Sequence, residues 1–557
     1  MPFAAFSPLR SLPPMKFSLS RSIFAAVGSS VFGLLWLLTP GYPCQSLADA
    51  IPWDKAWPQA GGPKGNWIAE NGSAPVQWSV VRNERIIWKT TLPEGGQSGL
   101  AVWGDHLFLT TLQPEEGKIP NGRDVVGSCV DARDGKILWE VRLPGKSTSV
   151  PAYFFSDATS PSPMTDGEHV WFFNACGSIG CFDYAGKLVW FREWTPTGGR
   201  PFNKLFEPIL FGDTLLNMEP REKADPKREP KDPWNYIHGI DKRTGKTMWV
   251  SDDAVSQYNT PVIGRMANGN PAVLQGRGAY HGVPELPVGL SMTSLVRGQE
   301  GKTVWRYTPD KAKATYTQHW NAEWVPFIDI DASQHLVLDA SSGQVLRRDS
   351  LYSKVDWRRF DEKAGKHVLL SDVDLSQQSP ARKVFPAQLC NLLVGPWHWF
   401  LCYTEPSKGL GPPYCVGRIH METGRVEYLE LPVSVVRVAG QPDTLVWGKP
   451  QASSTVNSRG IDIAGDKRSR GDGWWWGYLG GPISVGRHLY FTTMLGITYT
   501  LDAQAGVLNE KALLGVSDLG APGETWSLNS IAYAEGRLYH RSMRELVCIG
   551  ENEKPRP

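Results

Sequence analysis

The sequence predicts an all-β chain: an eight-bladed β-propeller of four-stranded antiparallel blades, closed by a strand from the N-terminal side. Three observations predict it. A turn of the form Asp-x-x-x-Gly recurs along the chain, a different glycine turn alternates with it, and the two counts differ by one.

The first turn places a large residue four positions after its glycine. It reads VDARDGKILW to Trp139, IDKRTGKTMW to Trp249 and FDEKAGKHVL to Leu369. Shortened or altered copies are FDYAGKLVW (Trp190), RGQEGKTVW (Trp305), HMETGRVEY (Tyr428) and LDAQAGVLNE (Glu510). Each reads as strand, tight turn with glycine where φ is positive, and strand. The second mark is an apolar hairpin reversing at Gly104, Gly167, Gly212, Gly395, Gly486 and Gly536, with looser versions at MANGNPAV and IDIDASQHL. Eight inner hairpins thus interleave with seven outer turns. LDASSGQVL, Asp339 to Leu346, also resembles the outer turn, but Gly343 lies only 12 residues after Asp331. The other inner-to-outer spacings run from 19 to 33, so Gly365, at 34, is taken as the outer turn of that blade.

One outer strand is missing at the C-terminus, and NERIIWKTTLP, with Trp88 at the aromatic position, supplies it. Closing the ring with a strand from the opposite end removes two exposed sheet edges. The expected organisation is a signal peptide over 1–50, an arm over 51–77, the propeller over 78–550 and a short tail over 551–557. A long connecting loop runs from about 432 to 479. Trp88, Trp139, Trp190, Trp249 and Trp305 are expected to pack one blade on the next.

The Asp-x-x-x-Gly-Lys-x-x-Trp turn resembles the repeat of pyrroloquinoline-quinone-like (PQQ-like) β-propellers, and AWPQAGGPKGNW resembles the arm before the propeller in an exported, uncharacterised branch of that superfamily. The superfamily also includes quinoprotein dehydrogenases and an outer-membrane assembly lipoprotein. The resemblance implies the fold; activity has to come from a site.

Composition excludes some partners. A formal charge of +2 in 557 residues gives no electrostatic reason for nucleic acid. Lys16 and Arg21 precede the apolar run IFAAVGSSVFGLLWLL, and Ala48-Asp49-Ala50 offers a cleavage site, so an export signal starting at Met1 or Met15 and an extracytoplasmic monomer are expected. An uncleaved signal is then the one means of membrane attachment. Tyr42-Pro43 before Cys44 is a poor lipobox. Cys129, Cys181 and Cys548 share one repeat phase and read as small buried side chains. Cys176/Cys181 and Cys390/Cys402 flank turns, and their pairing is left open by spacing alone. His106, His169 and His488 share a turn phase and read as structural, and no metal motif is found.

Segments leading from an outer strand to the next inner strand converge on one mouth of the channel. They carry Gln97, Asn203, Glu207, Asn259, His319, Asn321, Glu323, Gln388 and Asn529, with Arg277 and His281 nearby, and the triplet Trp474–Trp475–Trp476. These predict a small polar ligand or a protein partner at that mouth, bound without catalysis. The family resemblance implies an alternative, a dehydrogenase oxidising an alcohol or sugar with PQQ and calcium. Trp474 or Trp476 would then stack on the quinone, with Asn259, Asn529 and His281 around it and Arg277 polarising it. Glu323 and Asn321 would hold calcium, and Asp472 would be the base. Against it, the chain lacks an adjacent Cys-Cys pair and a C-x-x-C-H motif.

Overall fold

A computed structural model describes residues 53–551 except 115–123, 147–156, 197–205, 222–233, 257–258, 279–286, 313–314, 316, 330, 378–381, 407–413, 439, 449–450 and 463–479; within 382–406, side chains are described for 391–402. Eight sheets form the eight blades of a propeller ring, each built outward from an inner strand. Blade 1 shows the order: Ala101–Trp103, His106–Leu112, Val125–Asp131 and Ile137–Leu143. Blade 8 ends as expected, with Ile86–Thr91 antiparallel to Glu545–Ile549.

The recurrent turn is made by its aspartate and glycine together. In blade 1 the Asp131 carboxylate accepts from the Arg133 N–H at 2.8 Å, and its carbonyl accepts from the Gly135 N–H at 2.8 Å. Gly135 has φ +78°, and a Cβ there would lie 2.5 Å from the Trp88 ring. Trp88, on the outer strand of the preceding blade in the ring, donates its indole N–H to the Ala132 carbonyl at 3.0 Å. The same docking recurs from Trp139 to Tyr184, Trp190 to Lys242 and Trp305 to Ala340, each at 2.9 Å. Each contact covers aromatic area between blades and satisfies an indole donor. Opposite these tryptophans the ladder places Cys548, Cys129 and Cys181, and Gly239 faces Trp249. Burial pushes the three thiols up to about 12, so they sit there as small neutral side chains. Cys181 and Cys402 carry free thiols, so neither turn-flanking pair is bridged.

Blade 5 corrects the sequence reading. Its outer turn is Asp339–Gly343, where Trp305 docks and a Cβ on Gly343 would lie 2.5 Å from the indole. IDIDASQHL is the connection between Trp324–Asp329 and Gln334–Asp339, and the inner turn is at Asn321, whose N–H bonds to the Trp324 carbonyl. FDEKAGKHVL instead turns an inserted hairpin, Val355–Asp361 and Lys366–Val373, which pairs in parallel with the outer strand Val426–Leu431 of blade 6. The spacing rule assumed a long connection after the second strand, and here only four residues separate Asp329 from Gln334.

The arm lines the channel. Trp57 exchanges backbone bonds with Val102 of blade 1, and the Pro58 carbonyl accepts from Thr165 of blade 2. Gln59 bonds both backbone groups of Leu210 in blade 3, and Gly65 lies against Ile263 of blade 4. Trp67 stands edge-on to His319 of blade 5. Ile68–Ala69 then pairs in parallel with Ile483–Val485 of blade 7, and the Ser73 N–H donates to the Tyr533 hydroxyl of blade 8. Trp57 and Trp67 are both buried, so the arm fills the inner wall at the end where the inner turns lie.

Candidate functional site

At the other end, the lead-in segments bond to one another around the channel. The N–H of Gly99 donates to Ser162 Oγ at 2.7 Å, Ser162 N–H to Glu207 Oε2 at 2.7 Å, and Glu207 N–H to Thr260 Oγ1 at 3.1 Å. Thr260 N–H continues to Thr317 Oγ1 at 3.0 Å, and Asn391 Nδ2 donates to the Thr317 carbonyl at 2.8 Å. One structural position in each of blades 2 to 5 thus supplies a side-chain oxygen to the blade before it. Three are hydroxyls; Glu207 is the exception. Burial pushes its carboxyl up to about 7, against the two hydrogen bonds from Ser162 that favour the carboxylate.

A buried guanidinium sits where blade 8 meets blade 1. Arg541 ends the second strand of blade 8 and donates through Nη1 to Ser98 Oγ at 3.1 Å and to the Thr110 carbonyl. Its Nε and Nη2 are buried with no hydrogen-bond partner. Burial lowers its pKa to about 10, opposed by Asp157. Gly96 leaves room beside it, since a Cβ there would lie 3.1 Å from Nη2. The Oδ1 atoms of Asn529, on the approach to the same blade, and of Asn259, on the approach to blade 4, are also buried without a partner. Leaving such atoms unpaired in the interior is costly.

The long loop straps this mouth from blade 7 to blade 1. Ser454 N–H bonds to the Gly523 carbonyl at 2.7 Å, and Arg544 Nε to the Val456 carbonyl at 2.6 Å. Fully buried Glu94, leading into blade 1, receives Arg459 at 2.7 Å and Asn457. The loop's far end returns at Gly480, where a Cβ would meet the Asn529 carbonyl at 2.4 Å.

The expected site residues divide. Gln97, Glu207, Asn259 and Asn529 lie at the mouth. Gln97 takes part through its N–H, which donates to Thr159 Oγ1 at 2.7 Å. Arg277 does not: it is buried between blades 3 and 4, 3.6 Å from Asp253, whose carboxylate Arg306, Ser291 and Thr303 also bind. His319 faces the arm, and burial holds it neutral with a pKa of about 3. Asn321 and Glu323 form the inner turn of blade 5, at the opposite end of the channel, and Asn321 Oδ1 is occupied by the N–H groups of Glu323 and Trp324. Asn203, His281, Asp472, Trp474 and Trp476 lie outside the described residues, as does the side chain of Gln388. Among the described residues no three His, Cys, Asp or Glu side chains converge as a metal site. Arg541, Glu94 and Arg459 were missed. The one signal for Arg541 was a charge closing the apolar strand RLYHR.

A family model described as outer membrane protein assembly factor BamB matches residues 79–272. No curated protein sequence matches the chain. Among solved structures, quinohemoprotein alcohol dehydrogenase ADHIIG from Pseudomonas putida HK5 is 11% identical, covering 92% of this chain and 83% of its own, with a TM-score of 0.48. A europium-containing methanol dehydrogenase is 11% identical over 87% and 90%, at 0.47. BamB from Moraxella catarrhalis is 11% identical over 70% and 94%, at 0.32. At such distances no residue role transfers. The repeated turn and the eight blades make this chain an eight-bladed β-propeller, similar over residues 79–272 to the PQQ-like repeat family.

Proposed function

We propose that the chain is an extracytoplasmic, non-catalytic binding propeller that holds a small polar ligand at the loop-rich mouth of its channel. The observation that carries this reading is Arg541, a buried guanidinium with two nitrogens left for a guest. The arm supports it by occupying the inner wall at the other end of the channel, which leaves the mouth as the end not filled by the arm. The apolar run after Lys16 and Arg21 supports export.

Native mass spectrometry of the protein isolated after export tests the reading. A bound small molecule is expected, absent from a folded Arg541→Met variant. Calorimetric titration with PQQ, with and without calcium, separates the family's alternative. We expect no calcium-dependent binding. Tight, calcium-dependent binding lost in Trp474→Ala or Trp476→Ala, together with dye reduction by alcohols or sugars, would replace the binder with a quinoprotein dehydrogenase.

A further inference from the structure

On the face opposite the mouth, the arm and the turns of blades 3, 4 and 5 enclose a cavity of about 800 Å³. That size is typical of a small-molecule site. Its aromatic groups come from separate elements. Trp53, in the arm, is held edge-on by Trp103 with ring centroids 4.9 Å apart, yet stays 42% exposed. Trp320 has its indole N–H committed to the Val262 carbonyl at 2.7 Å and packs against Gly264, where a Cβ would come within 2.8 Å of the ring.

The two lysines and two carboxylates that line the cavity are already paired. Lys64 binds Glu70 at 2.8 Å, and Lys242 binds Asp166 at 3.0 Å and Asp213 at 3.4 Å. Arg265 donates to the Gly269 carbonyl at 2.9 Å. The two amides have their oxygens occupied by local turns: Asn66 Oδ1 accepts from Ile68, and Asn321 Oδ1 from Glu323 and Trp324. Each amide therefore presents its NH₂ group as a donor, while the paired carboxylates keep lone pairs to accept. An anionic guest would have to compete with Glu70 and Asp213 for their lysines, which leaves Arg265 as the one cation of the lining not paired with a carboxylate among the described residues. A wholly apolar guest would cover the amides and ion pairs without satisfying them.

We infer that this cavity binds a neutral oligosaccharide, with a sugar ring laid on tryptophan and its hydroxyls bonded to the amides and paired carboxylates. The aromatic rings supply the surface a sugar's C–H face needs, and hydroxyls match a lining that both donates and accepts. This site is separate from the mouth and does not rest on the reading of Arg541.

Calorimetric titration of the mature protein with cellohexaose, maltohexaose and chitohexaose tests it. We expect at least one to bind saturably, to weaken tenfold or more in Trp53→Ala, and to bind normally to Arg541→Met. Ala322→Trp, on an exposed turn at the cavity rim, is expected to block the same sugar and decides the matter should Trp53→Ala fail to fold. The inference is overturned if none of the three binds at millimolar concentration, or if a sugar that binds ignores both cavity variants.

Discussion

Gly343 and Gly365 look alike in sequence, each closing an Asp-x-x-x-Gly turn at positive φ, +71° and +63°. Their surroundings differ: a Cβ on Gly343 would lie 2.5 Å from the Trp305 ring, while Gly365 has nothing within 4 Å. Gly365→Ala should therefore cost only the left-handed backbone, about 1 kcal/mol. Gly343→Ala adds overpacking and should cost about 2–4 kcal/mol. Urea unfolding of both variants measures the difference; equal losses would mean that blade 5 does not turn at Asp339. Sequence made both turns legible, because aspartate and glycine write the turn locally. What decides between them is a ring contributed by the preceding blade, which spacing does not carry.

Histidine burial sets a second expectation at this scale. His335 Nε2 and His398 Nδ1 are 2.9 Å apart, and His398 Nε2 bonds to Asn391 Oδ1 at 3.2 Å. Because Asn391 donates its Nδ2 to Thr317, its Oδ1 accepts, so His398 carries its proton on Nε2. His398 Nδ1 then accepts from His335 Nε2, which requires the His398 ring to be neutral. Burial lowers His319, His335 and His540 to about 3 and holds His398 well below the usual imidazole range. Groups whose folded pKa is depressed bind fewer protons than in the unfolded chain below about pH 6.5. Stability is thus held above that pH and lost as pH falls from about 6.5 toward 3, by up to about 1.4 kcal/mol per pH unit for each such histidine. Thermal melts of the protein and His335→Gln should show the shallower acid slope in the variant. Glu207 acts in the other direction. Its folded pKa is raised, so it weakens the fold as pH rises from about 4.5 to 7, and Glu207→Gln should remove that loss.

Among the elements, the arm and the strap shape the site, and the sequence revealed them unequally. The arm was visible as a segment before the first repeat. Its path along the channel was not, because each contact pairs one arm residue with a strand from a different blade. The mouth is hidden for the same reason: Arg541 meets Ser98 across 443 residues of sequence. Trp57, 1% exposed and bonded through its indole to the Ala60 carbonyl, anchors the arm. Trp57→Ala should destabilise the protein by about 3–5 kcal/mol. Hydrogen exchange should show the protection of residues 56–72 falling before that of the blades; an unchanged order would mean that the arm is not a separate unit of stability.

For the molecule as a whole, the uneven count of turns was the most informative signal, since a ring with one outer strand missing has to be completed from elsewhere. That inference concerned repeat arithmetic and survived the misplacement of blade 5, whose two candidate turns each leave eight blades. The site had no comparable rule. It is made from the variable residues of the repeats, where four equivalent positions carry Ser162, Glu207, Thr260 and Thr317.

The arm's route also dictates a timetable. Ser73 bonds to Tyr533, 460 residues later, and Trp88 lies on a strand whose partner ends at Ile549. At roughly 5–20 residues per second of synthesis, the first part of the mature chain waits about 20–90 s before its final partners exist. During that interval Trp57, Trp67, Trp78 and Trp88 have no completed wall to cover them. A chain halted before its eighth blade would therefore be vulnerable at its oldest end, with proteolysis expected first among residues 53–91.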